Sequence, residues 1–239
     1  MLSLDRQNHW REVYRADHPK WRPATELFAD RVRHYLRPGA RLLDLGCGRG
    51  GLVEQLGFPL GRTVGIDPDL TSLSEHRLPA LPRLVGHSDR LPFAPASFDV
   101  IYASWLLEHL PAPEETFAAV ARALCPGGVF VFITPNLRHP VAWGNYLAGR
   151  LGAWQGQLVE RLYGRAEGDT FPTAYRANTP AALGRPAAEA GLSMTELHLV
   201  ADPSYLAFNR VTYQVAQWVD SKLPQSRRIH IVGVAQKGA

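Results

Sequence analysis

Short runs of consecutive apolar residues alternate along this chain with longer segments in which apolar positions return every three or four residues. Leu42, Leu43 and Leu45 make the first run, and Thr63–Asp67 (TVGID) the second. Phe98, Val100, Ile101 and Tyr102 carry a third over Ser97–Ala103, and Val129–Ile133 is a fourth. Met194–Val200 and Arg228–Ala235 read as two more. Runs of this kind suit strands covered on both faces. Residues 4 to 16 and 23 to 36 read as helices; the second presents Leu27, Phe28, Val32, Tyr35 and Leu36 on one side and stops at Pro38-Gly39. Gly51 to Leu56 starts another helix. Pro113 with Glu114 and Glu115 opens the next, since proline and acids suit a helix N-terminus; it ends before Pro126, Gly127 and Gly128. Asn178 to Gly191 is a further helix, weakened by Gly184 and Pro186. Strands alternating with helices predict an α/β doubly wound sheet.

The segment RLLDLGCGRG, Arg41 to Gly50, carries the first chemistry. Its strand runs into Gly46, Gly48 and Gly50, and glycine tolerates positive φ and lets a ligand approach the backbone. The next strand ends on Asp67, placed to accept hydrogen bonds from a ribose diol. Strand, glycine turn, helix, strand and acid form a nucleoside-binding unit. A dinucleotide site would show G-x-G-x-x-G with a pyrophosphate on the helix N-terminus. Here the spacing is D-x-G-x-G-x-G, beginning at Asp44. An acid in front of the first glycine repels phosphate and suits an ammonium group. S-adenosylmethionine (SAM) has that group and a ribose, and no phosphate.

Further segments follow in order: RLPF and FDVI between Arg90 and Ile101, LLEHL from Leu106, and LCPGGVFVF from Leu124. Together with DLGCGRG and VGID they resemble the class I SAM-dependent methyltransferases, in particular the methyltransferase type 11-like branch that acts on small molecules. The resemblance covers residues 38 to 136, with looser similarity to the end of the chain. It implies a Rossmann-like, seven-stranded sheet, mostly parallel with an antiparallel last strand, plus helical cap insertions. It also implies roles for single residues. Asp44, Gly46 and Gly48 line the methionine end of SAM, with Cys47 contributing backbone. Asp67 holds the ribose hydroxyls, Pro68 and Asp69 flank the adenine, and Ser104 is a further cofactor-binding residue. The family's adenine-reading aspartate is replaced: aligning on Leu91-Pro92-Phe93 puts His87 there, followed by Ser88. A neutral His87 accepting from the adenine amine, a local shift bringing in Asp89, and a backbone contact at Ser88 alone are all compatible with the sequence.

The organisation expected is one domain over 1–239: an N-terminal helical cap (1–37), a cofactor-binding core (38–136), and insertions on the acceptor side at 137–177 and 203–225. The usual family layout joins strands six and seven by a tight hairpin, so the second insertion belongs to this chain's own subfamily. Leu137 to Tyr175 is rich in aromatics (Trp143, Tyr146, Trp154, Tyr163, Phe171, Tyr175), as suits both a small cap's core and an apolar pocket. Ser204 to Leu223 carries Tyr205, Phe208, Val211, Val215, Trp218 and Val219 at helical spacing. That pattern also fits peripheral contact with a membrane, an idea weakened by the polar residues within it.

Charge adds little. The net charge is +4, but the basic residues are scattered without a run, and no N-P-P-[YF] element follows the fourth strand, so nucleic acid is not the expected partner. The N-terminus lacks an apolar signal region and no stretch approaches eighteen apolar residues, so a cytoplasmic location is expected. Cys47 and Cys125 lie in motifs and suit reduced, structural positions. No metal cluster is visible. Methyl transfer from a sulfonium needs chiefly positioning and exclusion of water, with a general base only for some acceptors. His109 is the expected base; Glu108 and His139 are weaker candidates. Three functions fit: methyl transfer from SAM to a small molecule, saccharide or lipid-like acceptor, most often at oxygen; methyl transfer to a protein or RNA; and SAM binding without turnover. The oligomeric state is not legible.

Overall fold

The computed structural model describes residues 4–150 and 173–239. Seven strands form a single sheet in the order β3-β2-β1-β4-β5-β7-β6. They are β1 (Leu42–Leu45), β2 (Thr63–Asp67), β3 (Arg83–Val85), β4 (Phe98–Ser104), β5 (Leu124–Pro135), β6 (Leu192–Val200) and β7 (His230–Lys237). β1 to β5 run parallel, and β7 enters antiparallel between β5 and β6. The strand order reverses between β1 and β4, so ligands are expected beyond the C-terminal ends of these two strands.

Successive residues of each central strand point to opposite faces, and both faces are buried. Leu42, Val100, Val131 and Val232 pack on one side beneath α2 (Ala24–Tyr35), through Phe28 and Val32. Leu43, Ile101, Phe130 and Ile231 pack on the other against Phe117 of α5 (Pro113–Ala123) and Leu183 of α7 (Pro180–Glu189). The near-continuous apolar runs have this physical origin. α7 survives Pro186 because Thr179 caps it, accepting from Ala182 N at 3.1 Å, and because Leu183, Pro186 and Ala187 are buried.

Two features differ from the expectations. Pro126-Gly127-Gly128 does end the helix, at Ala123, but the chain passes straight into β5 at Leu124 and the three residues form an irregularity within the strand. Leu124 pairs with Phe98 and Val129 with Val100, so the intervening residues bulge out, with Gly127 at φ 75. β3 has only three residues, too short to show an apolar period. The aromatic residues Trp154, Tyr163 and Phe171, with most of the 137–177 insertion, lie outside the described residues.

The insertion between β6 and β7 is helical as expected: a short 3-10 turn (Pro203–Leu206) and α8 (Arg210–Lys222), opened by an Asn209–Thr212 capping box. Its apolar stripe, however, faces outward, with Val211 67% and Trp218 63% exposed. The face turned inward carries Tyr213, Ala216 and Asp220. Tyr213 stacks on Trp10 of α1 (Leu4–Asp17), their centroids 4.6 Å apart. Arg11 of α1 reaches the buried Asp202 at 2.8 Å. The N-terminal helix and the second insertion therefore form one cap with its own small core of Tyr14, Ala207 and Tyr213.

Gly233 of β7 lies opposite Phe132, and a Cβ built there would meet the ring 2.3 Å away. Phe132 is fully buried. Gly233→Ala is therefore expected to cost about 1–3 kcal/mol, read from the urea unfolding midpoint, with Phe132→Leu in the same chain returning part of the loss. An unchanged midpoint would mean that the ring has room the packing denies it.

Candidate active site

The glycine turn after β1 is pinned to its neighbour. Gly46 N and Cys47 N both donate to Ile66 O, at 2.8 and 3.2 Å. Gly46, Gly48 and Gly50 all have positive φ, at 77°, 47° and 110°. A Cβ on Gly46 would meet Leu106 Cδ1 at 3.1 Å, so this glycine makes room for the loop after β4 as well as for the turn. Cys47 turns its sulfur to β2, where Gly65 has no side chain to obstruct it, and leaves its backbone to the site. Burial, reinforced by Asp44 and Asp67, pushes its thiol upward, so Cys47 stays protonated and is no nucleophile. α3 (Val53–Leu56) then lasts a single turn before Gly57 at φ 62.

Asp67 ends β2 and is buried. One carboxylate oxygen accepts from Gly48 N and the other from Asp69 N, both at 2.9 Å. The acid thereby ties the glycine turn to the start of α4 (Leu70–Ser74), and a carboxylate has lone pairs left for a diol. Asp69 caps α4, accepting from Thr71 N and Ser72 N.

Asp44 sits in β1, in register with Gly65 of β2 and Tyr102 of β4. It is 4% exposed. Burial raises its pKa to about 7; the Tyr102 hydroxyl works against that rise and the Asp67 charge adds to it. The Tyr102 hydroxyl is itself buried without a hydrogen-bond partner at normal geometry. Both residues line a cavity of about 320 Å³ with Thr25, Phe28, Gly46 and Ser104. A buried carboxylate beside a buried hydroxyl on a concave wall fits a ligand carrying an ammonium group. Tyr102 was not among the residues anticipated, because strand register, which brings it beside Asp44, leaves no mark in the sequence.

Trp105 lines the same cavity at φ 56, a strained conformation for a bulky residue. Its ring meets the imidazole of His230 at a centroid distance of 5.1 Å. His230 is buried and shares a hydrogen bond of 3.0 Å with the Tyr205 hydroxyl. Burial lowers its pKa to about 4 against the opposing pull of Asp202. His230 is thus neutral at neutral pH.

The remaining anticipated residues are spread along the C-terminal edge of the sheet. His87, after β3, is exposed, and Ser88 turns its hydroxyl to Thr116 of α5 at 2.9 Å. Asp89 has one carboxylate oxygen, Oδ1, buried with no partner. His109 is half-buried in the short turn Leu107–His109 after β4. Glu108 is buried and accepts from Thr134 Oγ1 at 3.0 Å, while its carbonyl accepts from Ala174 N and Tyr175 N. These bonds make it a structural anchor for the chain at 174–178. His139 opens α6 (Pro140–Arg150), its Nδ1 accepting from Val141 N at 3.2 Å. Among the described residues no group of side chains could hold a metal ion, and no helix is long and apolar enough to cross a membrane.

Comparison with known proteins bears on this geometry. Residues 43–132 match the family model described as a methyltransferase domain. The ubiquinone biosynthesis O-methyltransferase of Chromobacterium violaceum is 33% identical over 187 residues, 75% of this chain and 73% of that protein. The 24-methylenesterol C-methyltransferase 2 of Oryza sativa subsp. japonica is 28% identical over 91% of this chain, which spans 59% of the rice protein's length. A SAM-dependent methyltransferase structure from Mesorhizobium loti superposes with a TM-score of 0.58 at 18% identity, over 87% of this chain and 96% of that one, a likeness of fold.

Asp44 and His230 give the molecule opposing pH dependences. Between about pH 4 and 7 the folded chain keeps a proton on Asp44 that the unfolded chain, at 3.8, has released, so this contribution falls as pH rises. His230 stays unprotonated when folded yet takes a proton at 6.5 when unfolded, so its contribution is lost as pH falls towards 4. In the native chain the two slopes offset each other. Asp44→Asn leaves the histidine slope alone: its unfolding free energy should drop by about 1 kcal/mol per pH unit between pH 6 and 4.5 relative to the native chain. Parallel stability profiles of the two proteins would show that Asp44 is ionised in the folded state.

Proposed function

We propose that this chain, which belongs to the class I SAM-dependent methyltransferases acting on small molecules, transfers the methyl group to an oxygen of its acceptor at the C-terminal edge of β1, β4 and β5. The observation that carries the reading is the buried Asp44 on its cavity, held beside Asp67 by a glycine turn. SAM, when bound, supplies an electrophilic methyl on a positively charged sulfur. Asp44, Gly46, Cys47 and Gly48 take its amino-acid end, Asp67 takes the ribose, and Pro68 flanks the adenine. For the adenine amine, the unpartnered oxygen of Asp89 supports that residue over the exposed His87, with Ser88 contributing backbone.

Ser104 and Trp105 stand where the acceptor meets the cofactor, and the indole excludes water. His109, half-buried just beyond, takes the acceptor hydroxyl's proton as oxygen attacks. Oxygen as the methylated atom is supported by the bacterial relative; the plant relative methylates carbon, so the acceptor's identity is open to screening.

Calorimetry with SAM tests the cofactor site. Asp67→Ala should weaken binding by about 1–3 kcal/mol, because it leaves ribose hydroxyls unpaired. Ionised Asp44 is the form that pairs with an ammonium, so native affinity should fall as much as tenfold per pH unit below about pH 7. Asp44→Asn should bind more weakly and without that dependence. Native affinity in both variants would defeat the assignment. His109→Ala should lower kcat for an acceptor found with methyl-labelled SAM and leave SAM affinity unchanged; an unaltered kcat removes the base.

A further inference from the structure

A second cavity, of about 620 Å³, opens beyond β5 and is lined by Leu137, Arg138, Pro140, Trp143, Ser226 and Arg227. One wall comes from the start of the expected insertion after β5, and the other from the turn that leads from α8 into β7, just past the second expected insertion. They are far apart in sequence, and one fully buried residue fixes them together. Asn136 Nδ2 donates to Ser226 O at 3.1 Å and to Arg228 O at 2.7 Å. Its Oδ1 accepts from Arg138 N at 3.1 Å, and its backbone N donates to Ile229 O at 2.7 Å. Every hydrogen-bonding direction of this side chain but one lone pair serves to hold the two arginine-bearing turns in register.

Arg138 and Arg227 are both exposed at this cavity. Arg11, Arg15, Arg22, Arg31, Arg49, Arg77 and Arg185 each meet a carboxylate, whereas neither of these two does so among the described residues. Guanidinium groups on opposite walls suit a planar or tetrahedral oxyanion. The N-terminus of α6, which begins at Pro140 on the same wall, adds a favourable partial positive charge. Beside them Trp143 is 54% exposed, an apolar surface for the body of a ligand. A relay of contacts links this cavity to the cofactor cavity: Trp105 lines the cofactor cavity and contacts His230, which pairs in the sheet with Pro135, the residue before Asn136.

The geometry points to an acceptor that carries a phosphate or carboxylate, held by Arg138 and Arg227 with its apolar or aromatic body against Trp143. This assignment rests on the methyltransferase reading and names the substrate class for it.

Phenyl phosphate, benzoate and benzyl alcohol separate the possibilities when titrated into the full chain saturated with S-adenosylhomocysteine, with binding followed by calorimetry. Phenyl phosphate or benzoate should bind at least tenfold more tightly than benzyl alcohol, and the tighter of the two identifies the oxyanion. Arg138→Gln with Arg227→Gln should remove that preference and leave the affinity for SAM unchanged, since both side chains are exposed and away from the cofactor cavity. In a screen with methyl-labelled SAM, acidic acceptors should exceed their neutral analogues at least tenfold in kcat/KM, and the double variant should lose that margin. Equal binding of the three probes, an unaltered preference in the double variant, or equal turnover of acidic and neutral acceptors would each overturn the assignment. A native chain that fails to bind SAM would instead overturn the cofactor site, a distinguishable result.

Discussion

Placing a carboxylate in the middle of a parallel sheet is expensive, and the architecture around Asp44 is arranged about that cost. β1 is flanked by β2 and β4, so Asp44 has strands on both sides and the aromatic rings of Tyr102 and Phe28 on its own face. Among the described residues no arginine or lysine pairs with it to offset its charge, and burial raises its pKa. The natural partner of such a group is a cation that arrives from outside. A methyl donor with an ammonium group and a sulfonium meets that need, and recovers on binding the free energy that folding leaves unfavourable. Residues suited to binding a ligand are often poor for stability alone, and the buried carboxyl of Asp44 has that character.

The glycine turn can serve this arrangement because it is held by strands rather than by itself. Ile66 O receives two of its N–H groups and Asp67 receives a third, so β2 fixes the turn that follows β1. The close approach of Leu106 over Gly46 brings in the loop after β4 as well. Three consecutive strands of the sheet thus converge on one short segment, and its positive φ values are stabilised by contacts that no isolated peptide would have.

Much of this was legible in the chain itself, for identifiable reasons. Buried strands must be apolar on both faces, so β1, β2, β4 and β5 announce themselves, and a glycine turn needs glycines. What stayed hidden depends on register and on long-range pairing. Tyr102 is an ordinary apolar-run residue until β4 is laid beside β1. Asp69 also caps a helix, a role that its position in the sequence does not announce. The stripe on α8 has perfect helical spacing, yet its outward face is the apolar one and its inward face holds Tyr213 and Asp220. Periodicity states that a helix forms; only the partners state which side it turns to them.

The cap carries the same lesson into function. Its parts, α1, the segment after β5 and the β6–β7 insertion, are distant in sequence and joined by polar side chains: Arg11 to Asp202, Trp21 Nε1 to Ala201 O, and Asn136 to the turn at 226–228. Directional bonds between loops specify their separation more closely than apolar packing does, since a donor and acceptor lose their interaction steeply with misalignment. A sheet that must hold one constant cofactor can rely on a dense core. A pocket that must hold a particular acceptor needs its walls at a fixed spacing. In this methyltransferase the spacing of the second cavity's walls is set by a buried asparagine whose bonds reach both of them, so two segments that share no strand and no helix are held together by directional hydrogen bonds.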